Sequence, residues 1–278
     1  MQTAVIQQLL ELNNTFYQTF GKAFSITRRR IQPGITRCLA GLNPTGNWLD
    51  LGCGGGTVAE AWAKTPARKG TYLGVDFSLV LLDEAREVVK GLDAEGILID
   101  FCQGDVASLE WWRGLDDRNK TLHEVSLPAS GFDFISAFAV LHHIPGSDTR
   151  RQIVDQIHAH LKPDGLFLLS VWQPQNSPRL LARRLPWEMV NLSPRQLEEG
   201  DVLMDWRFSL PDQAEQIGLR YVHLFRLDEL HSMASSAGFE ILQSFESDGE
   251  GNRLGLYQVW KKHLTPKSTD GQALFPST

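Results

Sequence analysis

The residues best placed to do chemistry in this 278-residue sequence begin at Asp50-Leu51-Gly52-Cys53-Gly54-Gly55-Gly56, where an acid and four glycines end an apolar run starting at Trp48. Glycines allow positive φ and remove the Cβ atoms that would hold a ligand off the main chain. A helix expected from about Thr57 to Lys64 aims its N-terminal amides at the same spot, which suits a carboxylate or a phosphate. Asp76 ends a second apolar run, where an acid can accept from both hydroxyls of a ribose; the plainer reading is an N-cap for the segment from Ser78. Asp105, in Gln103-Gly104-Asp105-Val106 after a third run, can accept from an exocyclic amine or simply cap a turn.

A second group of candidates could act on an acceptor. His142 and His143 follow the run Phe132–Phe138, and adjacent side chains there cannot both face one site. Without further His, Cys or acid residues at metal spacing, the pair is not read as a metal site. Arg28-Arg29-Arg30 forms either a solvated basic turn or a clamp on an anion, with Arg28 the cofactor-side candidate.

Alternating apolar runs and helical patterns must carry these residues. Helices are expected over about 3–20, from Pro33 to about Leu42, over 149–161 and over 227–237; strands over 71–76, 97–102, 132–138 and 166–172, with a closing antiparallel pair at 239–245 and 254–261 turning near Asp248-Gly249. This pattern predicts an α/β fold, a doubly wound sheet of about seven strands with N-terminal helices. The expected organisation is a helical cap over 1–44, a main domain over 45–263 and a disordered tail over 264–278. Within the main domain, 107–131, with Trp111-Trp112, reads as a surface insertion, and 173–224 as a lid outside the strand ends. Much of that lid lacks periodicity and mixes arginines with acids.

The net charge of -6 argues against a wholly basic nucleic-acid-binding surface. Three scattered cysteines, Cys38, Cys53 and Cys102, fit a reducing compartment. Met1–Leu12 lacks the pattern of a signal peptide and no run of about 18 apolar residues occurs, so a cytoplasmic protein without a membrane span is expected.

Thr57 stands where a dinucleotide motif needs its third glycine, and no lysine follows Gly56 as a phosphate loop requires. Asp50-Leu51-Gly52-Cys53-Gly54-Gly55-Gly56 instead resembles the D-x-G-x-G-x-G signature of class I S-adenosylmethionine-dependent methyltransferases, with Asp76, Gly104-Asp105-Val106 and Asp133 where that family keeps its later motifs. The resemblance implies a Rossmann-like sheet with S-adenosylmethionine as cofactor. Its methionine part would lie over Gly52, Gly54 and Gly56 near Asp50, its ribose on Asp76, and its adenine near Asp105 and Val106.

Phe24-Ser25-Ile26-Thr27-Arg28, Ala139-Val140-Leu141-His142-His143 and Arg220-Tyr221-Val222-His223-Leu224-Phe225 also resemble segments of the tRNA methyltransferases that esterify 5-carboxymethyluridine at the wobble position. That likeness implies tRNA as partner, a small activating subunit, and roles for His142 or His143 and for Arg220. A carboxylate acceptor is already a nucleophile and needs a cation such as Arg220 to hold it; a hydroxyl acceptor needs a base such as histidine. The expected arrangement has Arg220 orienting the acceptor and His143 lining the site. The alternatives are a small-molecule O- or N-methyltransferase and a non-catalytic cofactor-binding module; an oxidoreductase is more remote.

Overall fold

A computed structural model describes residues 1–26, 30–92, 96–108, 112, 128, 130–208 and 215–263. Arg28, most of the 107–131 insertion and the tail from residue 264 lie outside the described residues.

The first five strands are β1 (Trp48–Leu51), β2 (Gly70–Asp76), β3 (Ile97–Gln103), β4 (Phe132–Phe138) and β5 (Leu161–Trp172). Next come β6 (Arg184–Leu185), β7 (Asp201–Phe208), β8 (Gln216–His223), β9 (Phe239–Ser247) and β10 (Gly255–Lys262). The helices are α1 (Thr3–Ile26), α2 (Pro33–Ala40), α3 (Thr57–Ala63), α4 (Leu79–Val89), α5 (Ser147–His160) and α6 (Leu227–Ser236), with a single further turn at Pro178–Leu181.

Seven strands form the main sheet in the order β3-β2-β1-β4-β5-β10-β9. The first five are parallel and β10 runs antiparallel to both its neighbours, giving the expected doubly wound sheet with its closing pair. Helices cover both faces. Leu49 and Leu51 of β1 point to the side packed by Ile153 and Ile157 of α5 and Leu230 of α6. Trp48 points the other way, toward Leu39 of α2, Trp62 of α3 and Leu82 of α4. A strand covered on both faces reads as a continuous apolar run, so an acid within it must be hydrogen-bonded. The four buried residues of β1 include such an acid, Asp50.

Three stretches differ from expectation. Helix α1 continues past Phe20 to Ile26 because its later turns stay packed, Phe20 against Trp206 and buried Gly21 beside Leu81. Strand β5 starts at Leu161 rather than Leu166; Leu161 pairs with Phe132 and Leu166 with Phe134, so Lys162–Gly165 bulges out with Asp164 at φ 62°. The region after β5 holds a second, antiparallel sheet, β6-β7-β8. Val202, Leu203 and Met204 are all buried, so β7 lacks the alternation of a half-exposed strand. Trp112 packs on the main core and meets the His160 ring at 5.6 Å, a core-edge role.

A buried charge network ties this small sheet to α5 and α6. Arg150, 1% exposed, pairs with Glu198 at 3.1 Å and Glu229 at 3.3 Å. Nδ1 of His223 donates to Asp201 at 2.7 Å and Nε2 to Glu229 at 3.0 Å, and the Tyr221 hydroxyl also donates to Asp201. Burial alone would lower the His223 pKa, but the bonds to Asp201 and Glu229 outweigh it and raise it above 6.5. Burial likewise opposes ionisation of Glu229, yet His223 and Arg150 hold it below 4.5. The histidine's contribution to stability is therefore complete below its ordinary pKa and is lost as pH rises through the raised one. His223→Gln is expected to destabilise the protein relative to wild type most at about pH 5 to 6, with the difference shrinking above about pH 7 as the wild type loses the charge. Urea unfolding across that range measures it.

Candidate functional site

A cleft of about 290 Å³ opens at the C-terminal ends of the parallel strands, where ligands of doubly wound sheets bind. Its floor is the turn after β1. The N–H groups of Gly52 and Cys53 donate to the Val75 carbonyl at 2.7 and 3.1 Å, and that of Gly54 donates to Asp76 Oδ2 at 2.9 Å. The glycines do different work. A Cβ on Gly52, at φ 69°, would meet Val140 at 2.5 Å, and one on Gly56, at φ 78°, would meet the Ala85 backbone at 2.9 Å, so these two let β4's tip and α4 close in. Gly54, at φ 52°, has nothing within 4 Å of that position and presents bare main chain to the cleft. Gly56 begins α3 and is not part of the cleft wall.

Asp50 lies beneath the turn, 2% exposed, accepting from Tyr72 of β2 and Ser136 of β4; Trp48 Nε1 in turn donates to Ser136 at 2.7 Å. Burial lifts its pKa from 3.8 to about 6 against the lowering pull of these bonds. Asp76 lines the cleft but is not the N-cap of α4. Its Oδ2 receives Gly54 and its Oδ1 receives the Ser78 N–H at 2.9 Å, while Ser78 itself caps α4. Burial raises the Asp76 pKa despite the bonds from Ser78 and Gly54. Asp105 and Val106 line the far wall; Asp105 is exposed and also accepts from the Ala107 N–H at 2.9 Å.

The other wall comes from β4's tip and, unforeseen from sequence, from α1. Ala139 takes φ 58° while its N–H donates to Ser170, and the short helical turn Leu141–His143 follows. The two histidine rings lie 4.2 Å apart, yet one of them borders the cleft. His143 lines the cleft; His142, 2% exposed, accepts the Trp172 N–H on Nδ1 at 3.3 Å and does not. Asn13 of α1 fixes this wall. Its Nδ2 donates to the carbonyls of His143 at 3.0 Å and Tyr221 at 3.2 Å, and its Oδ1 accepts the Tyr221 N–H at 2.8 Å. Tyr17, one turn on, places its hydroxyl 2.8 Å from His143 Nε2.

Arg220 stands apart from the cleft wall. It is 4% exposed on β8, with its guanidinium 4.8 Å from the Trp172 ring centroid and 5.5 Å from that of Phe16. The structure thus gathers Asp50, Gly52, Gly54, Asp76, Asp105, Val106 and His143 around one cleft, while His142 and Arg220 flank Trp172. The sequence reading omitted Asn13, Tyr17 and Tyr257 from the cleft. The pair Asn13-Asn14, interrupting an apolar stripe, was the one local sign of the first.

The sequence pattern of a methyltransferase domain matches residues 24–244. The chain belongs to this methyltransferase family. Along its length the methyltransferase is similar to the tRNA (carboxymethyluridine(34)-5-O)-methyltransferase of Schizosaccharomyces pombe, 25% identical over 243 residues that span 82% of this chain and 88% of that one. It is 31% identical to a ubiquinone biosynthesis O-methyltransferase of Actinobacillus pleuropneumoniae, over 44% of each chain. Its fold matches an S-adenosylmethionine-dependent methyltransferase of Clostridium acetobutylicum with a TM-score of 0.60 at 17% identity, covering 89% of this chain and 99% of that one. One from Methanosarcina mazei gives 0.57 at 21% identity, covering 84% and 99%. Family and fold make S-adenosylmethionine the cofactor of this methyltransferase, and the open main chain at Gly54 beside a carboxylate at the tip of β2 fits it. No helix among the described residues is long and apolar enough to cross a membrane.

The raised pKa of Asp50 has a measurable consequence. The folded protein keeps this proton at pH values where the unfolded chain has released it, so the residue lowers stability as pH rises from about 4 to about 6. Asp50→Asn removes that dependence, and its stability relative to wild type is expected to improve by roughly 2–3 kcal/mol between about pH 3.5 and pH 7. Urea unfolding of both proteins at the two pH values checks it.

Proposed function

We propose that this methyltransferase transfers the methyl group of S-adenosylmethionine to the carboxylate of a 5-carboxymethyluridine at the wobble position of tRNA. The observation that carries this reading is the likeness to the Schizosaccharomyces pombe enzyme over 82% of the chain, too long a span to be confined to the cofactor half. A small-molecule O-methyltransferase is the second reading, favoured by the higher identity to the ubiquinone-pathway enzyme over a shorter span.

The cofactor supplies a methyl group activated by its sulfonium. In this reading the turn at Gly52 and Gly54 receives the methionine part, with Gly56 behind it letting α4 close in, Asp76 receives the ribose, and Asp105 with Val106 the adenine. A carboxylate acceptor needs no general base, so the protein's task is to align it and exclude water. His143 borders the acceptor side. Arg220, next in sequence to the Tyr221 that holds His143, acts through a buried positive charge near that end rather than as a direct clamp.

Two measurements test it. Gly54→Ala places a methyl group where the main chain now meets open space; it is expected to weaken S-adenosylmethionine binding about tenfold or more, equivalent to about 1.4 kcal/mol, in a calorimetric titration. Incubation with labelled cofactor and total tRNA, followed by nucleoside analysis, is expected to place label in the methyl ester of carboxymethyluridine. Label found in small metabolites alone overturns the tRNA reading in favour of the second.

A further inference from the structure

We propose that Tyr17 positions the acceptor carboxylate through its hydroxyl, and that His143 decides whether that hydroxyl donates or accepts. The inference rests on the carboxylate reading above and adds a residue and a proton to it.

The His143 ring is held at both nitrogens. Its Nδ1 lies 3.3 Å from the Tyr221 carbonyl, which can only accept, so Nδ1 carries a hydrogen in either charge state. Nε2 is then the nitrogen that changes, and the Tyr17 hydroxyl stands 2.8 Å from it. When the ring is neutral, Nε2 is bare, Tyr17 donates to it, and the tyrosine oxygen offers lone pairs to the cleft. When the ring is protonated, Nε2–H donates to Tyr17, and the hydroxyl proton turns toward the cleft. The tyrosine ring cannot evade this choice: it packs edge-on against His143 at 5.5 Å and against Phe77 at 5.8 Å, so the hydroxyl responds by rotating its proton. Tyr17 and His143 line the same cleft.

A carboxylate only accepts hydrogen bonds. It therefore selects the protonated state, in which imidazolium, tyrosine and carboxylate form one charge-assisted chain. An acceptor bearing a hydroxyl or amine hydrogen selects the neutral state instead. The pair thus reads the acceptor's chemical class, and carboxylate binding is coupled to a proton on His143.

Other ionisable groups surround the pair. The His142 ring lies 4.2 Å from that of His143 on the same turn. Arg220 and Tyr221 belong to β8, Arg150 donates to the adjacent Ile144 carbonyl at 3.0 Å, and Asp50, Asp76, Asp105 and Arg30 line the cleft. His143→Gln leaves all of them in place.

The test is steady-state kinetics from about pH 6 to about pH 9 on an anticodon stem-loop carrying 5-carboxymethyluridine, for wild type, Tyr17→Phe and His143→Gln. Wild-type KM for the stem-loop is expected to rise with pH, approaching tenfold per unit as one proton is lost. Tyr17→Phe is expected to raise KM about tenfold or more at the acid end, to flatten its pH dependence, and to change kcat less than about threefold. His143→Gln flattens the same profile. Calorimetric titration with S-adenosylmethionine establishes that both variants are folded. A Tyr17→Phe profile equal to wild type, or a wild-type KM that falls as pH rises, overturns the inference. If wild type methylates the stem-loop and Tyr17→Phe behaves like it, this inference alone fails. If wild type leaves the stem-loop unmethylated while binding S-adenosylmethionine, the carboxylate reading fails and takes this inference with it.

Discussion

The glycine turn at the cleft floor depends on one buried carboxyl group. Asp50 lies in β1, one residue before its end, and is gripped from both neighbouring strands, by Tyr72 of β2 and by Ser136 of β4, with Trp48 supporting the serine. A carboxyl group taken out of water is costly unless its oxygens are satisfied, so these bonds lock the relative positions of three strands at the edge where the chain must turn. The turn is then strapped to β2 through Val75 and Asp76. Burial also raises the Asp50 pKa, so the site carries a destabilising group that a protein selected for stability alone would replace.

The wall that carries His143 is built on different physics. It joins elements far apart in the chain, α1, the turn at Leu141–His143 and β8, through Asn13, whose side chain meets three backbone groups. Behind it, α1 and the small sheet share an apolar cluster of Val5, Leu9, Leu203 and Tyr221. The Arg150, Glu198, Glu229, His223 and Asp201 network then fastens that sheet to α5 and α6. Such a network is worth little over an apolar replacement, yet breaking it leaves charges buried without their partners. Its value here is registration: it sets where β8, and hence the carbonyl facing His143, can lie.

Legibility in the sequence follows the range of the forces. The glycine turn, the acid ending β2, the acid after β3 and the helices after β1 and β2 announce themselves because each is set within a few residues, by φ requirements and apolar periodicity. Arg220 and His142 carry the right chemistry, but their neighbours Trp172 and Phe16 are remote in sequence, and those contacts place both residues outside the cleft wall. The second sheet, β6-β7-β8, escaped notice for a related reason. Both faces of β7 are covered, and covering erases the alternation that marks a strand.

By itself the sequence determined the chain order of the main sheet's strands and their helices, the bare main chain at Gly54 and the acid at Asp76, since each follows from local backbone preference and a period of two or 3.6. Tertiary structure alone decided which histidine borders the cleft, that α1 forms one of its walls, and that Tyr17 meets His143. Those facts rest on hydrogen bonds bridging 78 to 208 positions of chain. No residue type or spacing encodes such a distance; only packing both sheets against their helices brings the partners together.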